Sequence, residues 1–330
     1  MLKKLLISLL VALSIITFSE FDTGRFIEEL SYKITQTPAP AKIPVGILSE
    51  NGCALPMGMT YDEVLSSFGD PMDVLVSEYG FFWNIFHENF QNYIQIGVSD
   101  NRVVGIYTNS PRFSFRGITV GTPMADVNMI LETPITSILK GNTRYKMESM
   151  NKDQTNMELF HEDGMYITVF YDVFKNNSVT AIHIIDYETE QSYDRLYGEG
   201  TPELQESFEL QNYYVTNALR VREGLPALFY RKDVESVARA HSAEMAENDY
   251  FSHTDLSEGT VADRVKQSGI YFRAVGENIA MGAQNSLYMH ELLMNSEGHR
   301  NNILADFKEV GMGVAFSAGD VPYLTQNFIG

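Results

Sequence analysis

From about residue 46 to residue 187 the chain alternates short apolar and polar stretches with two brief helical patterns, and the order repeats. Gly58-Met59-Thr60 opens the first unit. Its threonine is placed to cap a helix over Tyr61–Phe68, with Val64 and Leu65 inside and Gly69-Asp70-Pro71 as the stop. Gly121-Thr122-Pro123 opens the second in the same way, over Met124–Leu131, with Val127 and Ile130 inside and Thr133-Pro134 behind. Alternating runs follow each helix: Tyr93–Val98 and Val103–Ile106 in the first unit, Tyr166–Tyr171 and Val179–Ile185 in the second. Each pair predicts a hairpin with one buried face. The whole predicts a duplicated helix-plus-antiparallel-sheet domain over 46–187.

Residues 188–203 are polar and acidic, with Gly198, Gly200 and Pro202, and predict a linker between halves that fold independently. From Leu204 the period becomes helical. One helix ends over Asn217–Glu223, with Gly224 as its stop. Val234, Val237, Ala238, His241 and Met245 then form one apolar stripe opened by Asp233. That places His241 on a buried face, as a core histidine bonded to backbone. Shorter helices are expected over Thr260–Gln267 and Leu287–Ser296, and closing strands over Val310–Phe316 and Tyr323–Ile329. The fold class is α+β.

The first residues change the picture of where this chain works. Met1-Leu2-Lys3-Lys4 followed by the apolar run Leu5–Phe18 is a charged start and an apolar core. The run is shorter than the roughly 20 residues of a spanning helix. Residues 1–19 therefore read as a signal peptide or an uncleaved N-terminal membrane anchor. Both place the bulk of the chain outside the cytoplasm, secreted or anchored to the outer face of the membrane. Residues 20–45, with Pro38, Pro40 and Pro44, read as an extended linker. The net charge of −19 argues against nucleic acid as a partner and against anionic lipid surfaces. The single cysteine, Cys53, can form no internal disulfide.

Candidate chemistry concentrates in the second half. In the first, His87, His161 and His183 lie far apart without metal-ligand spacing, and Phe81, Phe82, Trp83, Phe86 and Phe90 read as core packing. In the second, Tyr250-Phe251-Ser252-His253, Gly276-Glu277-Asn278-Ile279-Ala280 and Ser296-Glu297-Gly298-His299-Arg300 set two histidines and two carboxylates among glycine, asparagine and serine. Such a setting suits a polar cleft that ligates a cation or moves a proton.

These segments also carry a resemblance. Asn217, Arg220, Gly224-Leu225-Pro226, Ala240-His241-Ser242, Phe251-Ser252-His253, Arg264, Gly276-Glu277-Asn278-Ile279-Ala280, Gly298-His299-Arg300, Asn302-Ile303-Leu304 and Thr325-Gln326-Asn327-Phe328 run in one order. In that order, residues 204–330 resemble the CAP superfamily of cysteine-rich secretory, antigen 5 and pathogenesis-related proteins, in its bacterial branch. Residues 46–187 resemble the CAP-associated N-terminal domain of Gram-positive proteins. The resemblance implies a C-terminal three-layer α-β-α sandwich. It also implies a cleft of two histidines and two glutamates that in some members binds zinc or another divalent cation. His253, Glu277 and His299 match that cleft, and Glu297 stands beside Ser296, where other members carry the second glutamate. Two imidazoles and a carboxylate are a competent three-ligand set for Zn²⁺. Arg300 and Asn302 are expected to fix the loop around His299.

No close ligand pair on one helix and no nucleophile elbow accompanies these residues. The expectation is therefore a non-enzymatic protein. It would bind a cell-envelope component, a small apolar ligand or a protein partner through the His/Glu cleft. The alternatives are a zinc-dependent hydrolase of peptide or cell-wall polymer, and a structural adaptor.

Overall fold

A computed structural model describes residues 48–49, 52–147 and 155–330. The signal or anchor expected over 1–19 and the linker expected over 20–45 lie outside the described residues. No helix among the described residues is long and apolar enough to cross a membrane.

The N-terminal half opens with β1 (Leu48–Ser49) and β2 (Gly52–Ala54). Helix α1 (Tyr61–Phe68) starts at a capping box: the Thr60 hydroxyl accepts from Glu63 N, and the Glu63 carboxylate accepts from Thr60 N. An antiparallel meander follows, β3 (Asp73–Val76), β4 (Phe82–Glu88), β5 (Gln91–Ser99) and β6 (Arg102–Thr108), and then β7 (Phe113–Ser114), parallel to β2. The second unit comprises α2 (Met124–Ile130), the hairpin β8 (Ser137–Lys140) and β9 (Thr143–Lys146), and β10 (Met157–Glu162), β11 (Met165–Asp172) and β12 (Ser178–Asp186). Thr122 does not cap α2. Pro123 takes the cap position, and the Thr122 hydroxyl accepts from Thr119 N.

The large sheet runs β10-β11-β12-β6-β5-β4-β3. The two predicted hairpins are β5–β6 and β11–β12. They join at their second strands, antiparallel, with Ile184 opposite Ile106. Val64 and Phe68 of α1 pack on Phe86, Ile94, Ile96 and Ile106, and Val127 of α2 with Leu131 packs on Phe160, Ile167, Val169 and Ile182. The duplicated pattern thus covers one face of one continuous sheet.

After α3 (Tyr187–Gln191) the C-terminal half is built from α4 (Pro202–Arg222), β13 (Phe229–Tyr230), α5 (Lys232–Asn248), α6 (Val261–Gln267), β14 (Val275–Met281), α7 (Ser286–Met294), α8 (Glu297–Leu304), β15 (Glu309–Phe316) and β16 (Pro322–Ile329). Thr201 caps α4, with Pro202 in its first turn. Asp233 is not the cap of α5. Arg231 holds that position, and Asp233 sits in the first turn, where it suits the positive helix end. The sheet order is β13-β15-β16-β14. Helices α4, α7 and α8 cover the face that carries Val310, Met312, Val314, Leu324 and Phe328. Helices α5 and α6 cover the other, against Ile279, Ala315, Tyr323 and Ile329. This is the three-layer α-β-α sandwich. Helix α5 lies so close to β15 that a Cβ at Gly311 or Gly313 would sit 2.1 Å from Glu235 N or 2.0 Å from Arg239 N.

The predicted hairpins have two buried faces and not one, because the C-terminal half covers the second. Leu75, Phe81, Trp83, Ile85, Tyr107, Phe170 and Ile185 form one cluster with Val215 and Ala218 of α4 and Leu287 and Tyr288 of α7. Polar contacts cross the same boundary. Asn285 Nδ2 donates to Glu78 Oε1 (2.5 Å), and Tyr107 OH donates to Glu291 Oε1 (2.6 Å). Arg222 donates to the carbonyls of Asn109 and Thr180. Residues 188–203 are not a free spacer either. A Cβ at Gly198 would lie 2.8 Å from Glu78 Cβ, and one at Gly200 2.6 Å from Phe316 Cβ. A common core argues against the independent folding expected from the sequence. The full chain is expected to unfold in one transition, and Trp83→Ala to lower its stability by about 3–5 kcal/mol. Two thermal transitions, of which Trp83→Ala moves only one, would contradict this.

The boundary also holds titratable groups. Burial pushes the carboxyls of Glu78 and Glu291 up to about 7, and the imidazoles of His183 and His290 down to about 3. Between the unfolded carboxyl value of about 4.3 and about 7, these glutamates make the folded chain hold more protons than the unfolded one. Their contribution to stability therefore falls as pH rises through that window. The histidines act in the opposite sense, losing stability as pH falls from about 6.5 toward 3. A Glu78→Gln, Glu291→Gln double variant should match the parent at about pH 4 and exceed it by about 1–3 kcal/mol per carboxyl at about pH 8 in urea unfolding. A difference independent of pH would refute this assignment.

Candidate functional site

The site lies at the edge strand β14 of the C-terminal sheet, where the two helical layers meet around it. Strand alternation sends Glu277 to the face shared with α5 and α6, and Asn278 to the face shared with α8. The loop after α5 supplies His253. That helix ends at Asp249 in the left-handed region (φ 51°), which turns the chain toward β14. His241, buried on α5 as expected, holds the loop through Nε2 and the carbonyl of Ser252 (2.9 Å). Tyr250 OH donates to Glu244 Oε2 (2.6 Å), a second tie between loop and helix.

His253 Nδ1 donates to Glu277 Oε1 at 2.9 Å, and Arg264 Nη2 donates to Glu277 Oε2 at 2.5 Å. Both carboxylate oxygens are therefore engaged, and the Glu277 side chain is only 3% exposed. The other Arg264 nitrogen Nη1 donates to the carbonyls of His253 and Gly259, so one guanidinium fixes the loop and the carboxylate together. His253 itself is open to solvent, its side chain 56% exposed. From the other layer His299 faces it, with ring centroids 6.5 Å apart. Burial, and next the neighbouring His253, hold the His299 imidazole below its usual value. The cleft floor is a chain of amides: Asn278 Nδ2 donates to the His299 carbonyl and to Gln326 Oε1, and Asn302 Nδ2 donates to the Glu277 carbonyl and to Asn278 Oδ1.

The structure thus brings His253, Glu277 and His299 together and leaves Glu297 apart. Glu297 is exposed in the first turn of α8. Two residues before His299 on a helix, it projects roughly 200° away from it. Asn302 fixes the segment around His299 as expected. Arg300 also ties the turn before α8, donating to the Met294 carbonyl (3.2 Å), and in addition reaches the N-terminal half, pairing Nη1 and Nη2 with Asp172 (3.1 and 3.0 Å). Arg264 is the site residue that sequence reasoning passed over. An arginine within reach of a buried glutamate was the signal, but the reach depends on the turn 268–274 that folds α6 back onto β14.

As placed, these side chains do not fit a three-donor cation site. Glu277 is held by Arg264, and among the described residues no group of three or more His, Cys, Asp or Glu is positioned to hold a metal ion. What they offer is two imidazoles open to a ligand, one of them oriented by a carboxylate. The same imidazoles can donate or accept hydrogen bonds across a cleft about one small group wide.

Comparison with known proteins agrees with this architecture. The CAP-associated N-terminal family profile matches residues 57–195, and that of the cysteine-rich secretory protein family matches residues 213–328. An uncharacterised membrane protein of Bacillus subtilis, YlbC, is 30% identical over 289 residues, 83% of this chain and 82% of its own. A second uncharacterised protein of the same organism, YkwD, is 37% identical over 125 residues, 38% of this chain and 48% of its own. Among solved structures, an extracellular protein containing an SCP domain from Bacillus anthracis superposes with a TM-score of 0.70 at 25% identity, over 89% of this chain and 97% of that one. A cysteine-rich secretory protein from Staphylococcus aureus gives 0.68 at 17% identity, over 83% and 93%. With both domain profiles in order, a relative matched over most of its length and the sandwich in place, the chain belongs to the bacterial CAP superfamily, with a CAP-associated domain at its N-terminal side.

Proposed function

We propose that this chain is an extracytoplasmic binding protein whose His253–His299 cleft holds a component of the cell envelope. The observation that carries the reading is the engagement of both Glu277 oxygens, by His253 and by Arg264. A carboxylate in that state orients an imidazole and is not free to take a proton from water. Glu297, the other carboxylate of the motif, projects away from His299. Two facing imidazoles with a rigid amide floor suit recognition of a hydroxyl, amide or carboxylate. The extracellular B. anthracis protein and the membrane protein YlbC support the location.

Calorimetric titration with soluble cell-wall fragments tests this reading. The parent chain is expected to bind without turnover. A His253→Ala, His299→Ala double variant is expected to bind at least roughly tenfold more weakly, the loss of one or two hydrogen bonds to the ligand. The same fragments, offered with Zn²⁺, provide the opposing arm: hydrolysis by the parent chain that vanishes in the double variant would replace binding with the hydrolase reading.

A further inference from the structure

A further cavity lies away from the His253–His299 cleft, and neither histidine lines it. It encloses about 550 Å³ between the turn after α6, the start of β15 and the end of β16. That volume lies within the range of roughly 300–1,000 Å³ typical of small-molecule sites. Its walls include Arg231, Tyr271, Phe272, Arg273, Lys308 and Glu309. Their charges are not equivalent. Arg231 is held between Asp233 and Glu309, and Lys308 pairs with Asp306. The Arg273 guanidinium is exposed and has neither hydrogen bond nor ion pair among the described residues. Its backbone is fixed, since the N–H groups of Arg273 and Ala274 both donate to the Gly330 carbonyl.

One exposed ring shares this wall: Tyr271 is 79% exposed, the most exposed aromatic side chain among the described residues. An open cavity with one exposed ring and one uncommitted cation is poorly suited to a purely apolar ligand, which needs an enclosed apolar wall. It suits a ligand with a flat apolar face, polar edges and one negative charge.

We propose that this cavity binds an acidic saccharide, a sugar ring that bears a carboxylate. The ring's C–H face lies on Tyr271, and the carboxylate accepts from Arg273, whose planar fork matches it. The chain carries 43 acidic against 24 basic residues, so its long-range field does not attract such an anion. Recognition rests on the local guanidinium, within the Debye length of about 8 Å.

The test is a calorimetric and NMR titration of the full chain with N-acetylmuramic acid, with neutral N-acetylglucosamine, and with an acetylated aromatic dipeptide that carries a free carboxylate. N-acetylmuramic acid is expected to bind with a Kd of about 1 mM, and N-acetylglucosamine roughly tenfold more weakly. Arg273→Gln should bring the acidic sugar down to the level of the neutral one, and Tyr271→Ala should weaken both. Both side chains are exposed, so the fold should persist, which circular dichroism checks. In the NMR titration the resonances of Tyr271 and Arg273 should shift with the acidic sugar along one saturating curve, which locates this site independently of the cleft. Equal binding of the two sugars, undiminished binding by Arg273→Gln, preference for the dipeptide, shifts that leave Tyr271 and Arg273 unmoved, or no saturation below about 20 mM would each overturn the proposal.

Discussion

A seven-stranded sheet has two faces to remove from water, and the N-terminal half brings enough helix for one. Helices α1 and α2 are 8 and 7 residues long, and both lie on the same side. The other side carries Trp83, Tyr107, Phe170 and Ile185, which a solitary domain would leave exposed. Helices α4 and α7 cover it, and this one requirement sets much of the rest. It explains why α4 has buried side chains on more than one flank, among them Asn212 and Asn217, and why an apparent linker is packed against both halves. It also places carboxyls and imidazoles where water is scarce, so that their titration becomes part of the coupling between the halves.

The site follows a different logic, in which geometry is fixed by charge and hydrogen bonding more than by packing. Arg264 joins α6, the loop after α5 and β14 through three acceptors, the carbonyls of His253 and Gly259 and the carboxylate of Glu277, with Asp255 an ion-pair neighbour at 3.8 Å. Buried charges are tolerated when paired, and here both Glu277 oxygens are bonded while Arg264 Nε has no hydrogen-bond partner among the described residues. The pairing, however, converts Glu277 from a candidate ligand or base into a support for His253. Two imidazoles are left as the groups that meet a ligand.

Much of this was legible in the sequence, and the limits have physical causes. The helix α5, its buried His241 and the convergence of His253, Glu277 and His299 followed from local periodicity and from motif order. Those signals are short-range or carried by resemblance. The one-face reading of β5, β11 and β12 failed because alternation reports only polarity, and a strand covered on both sides by different partners can still carry threonine and histidine, as Thr168 and His183 show. The cap of α2 failed by a single residue, since proline's fixed φ suits the turn and displaced Thr122. Arg264 and Arg300 were visible as residues but not as partners. Their acceptors, Glu277 and Asp172, lie 13 and 128 positions away, and no local pattern encodes a distance of that kind.

Helix α8 is eight residues long and carries two neighbours with opposite loyalties. His299 faces the cleft, while Arg300, about 100° around the axis, grips Asp172 of the N-terminal half and lies over the ring of Phe174. So short a helix moves as a rigid peg. The N-terminal half therefore acts as a second gauge for the cleft: Asn278 and Asn302 tie the helix to β14, and a carboxylate more than a hundred residues earlier in the chain steadies the azimuth at which the second imidazole is presented. The spacing between the two imidazoles is a property of the whole chain and not of the CAP domain alone.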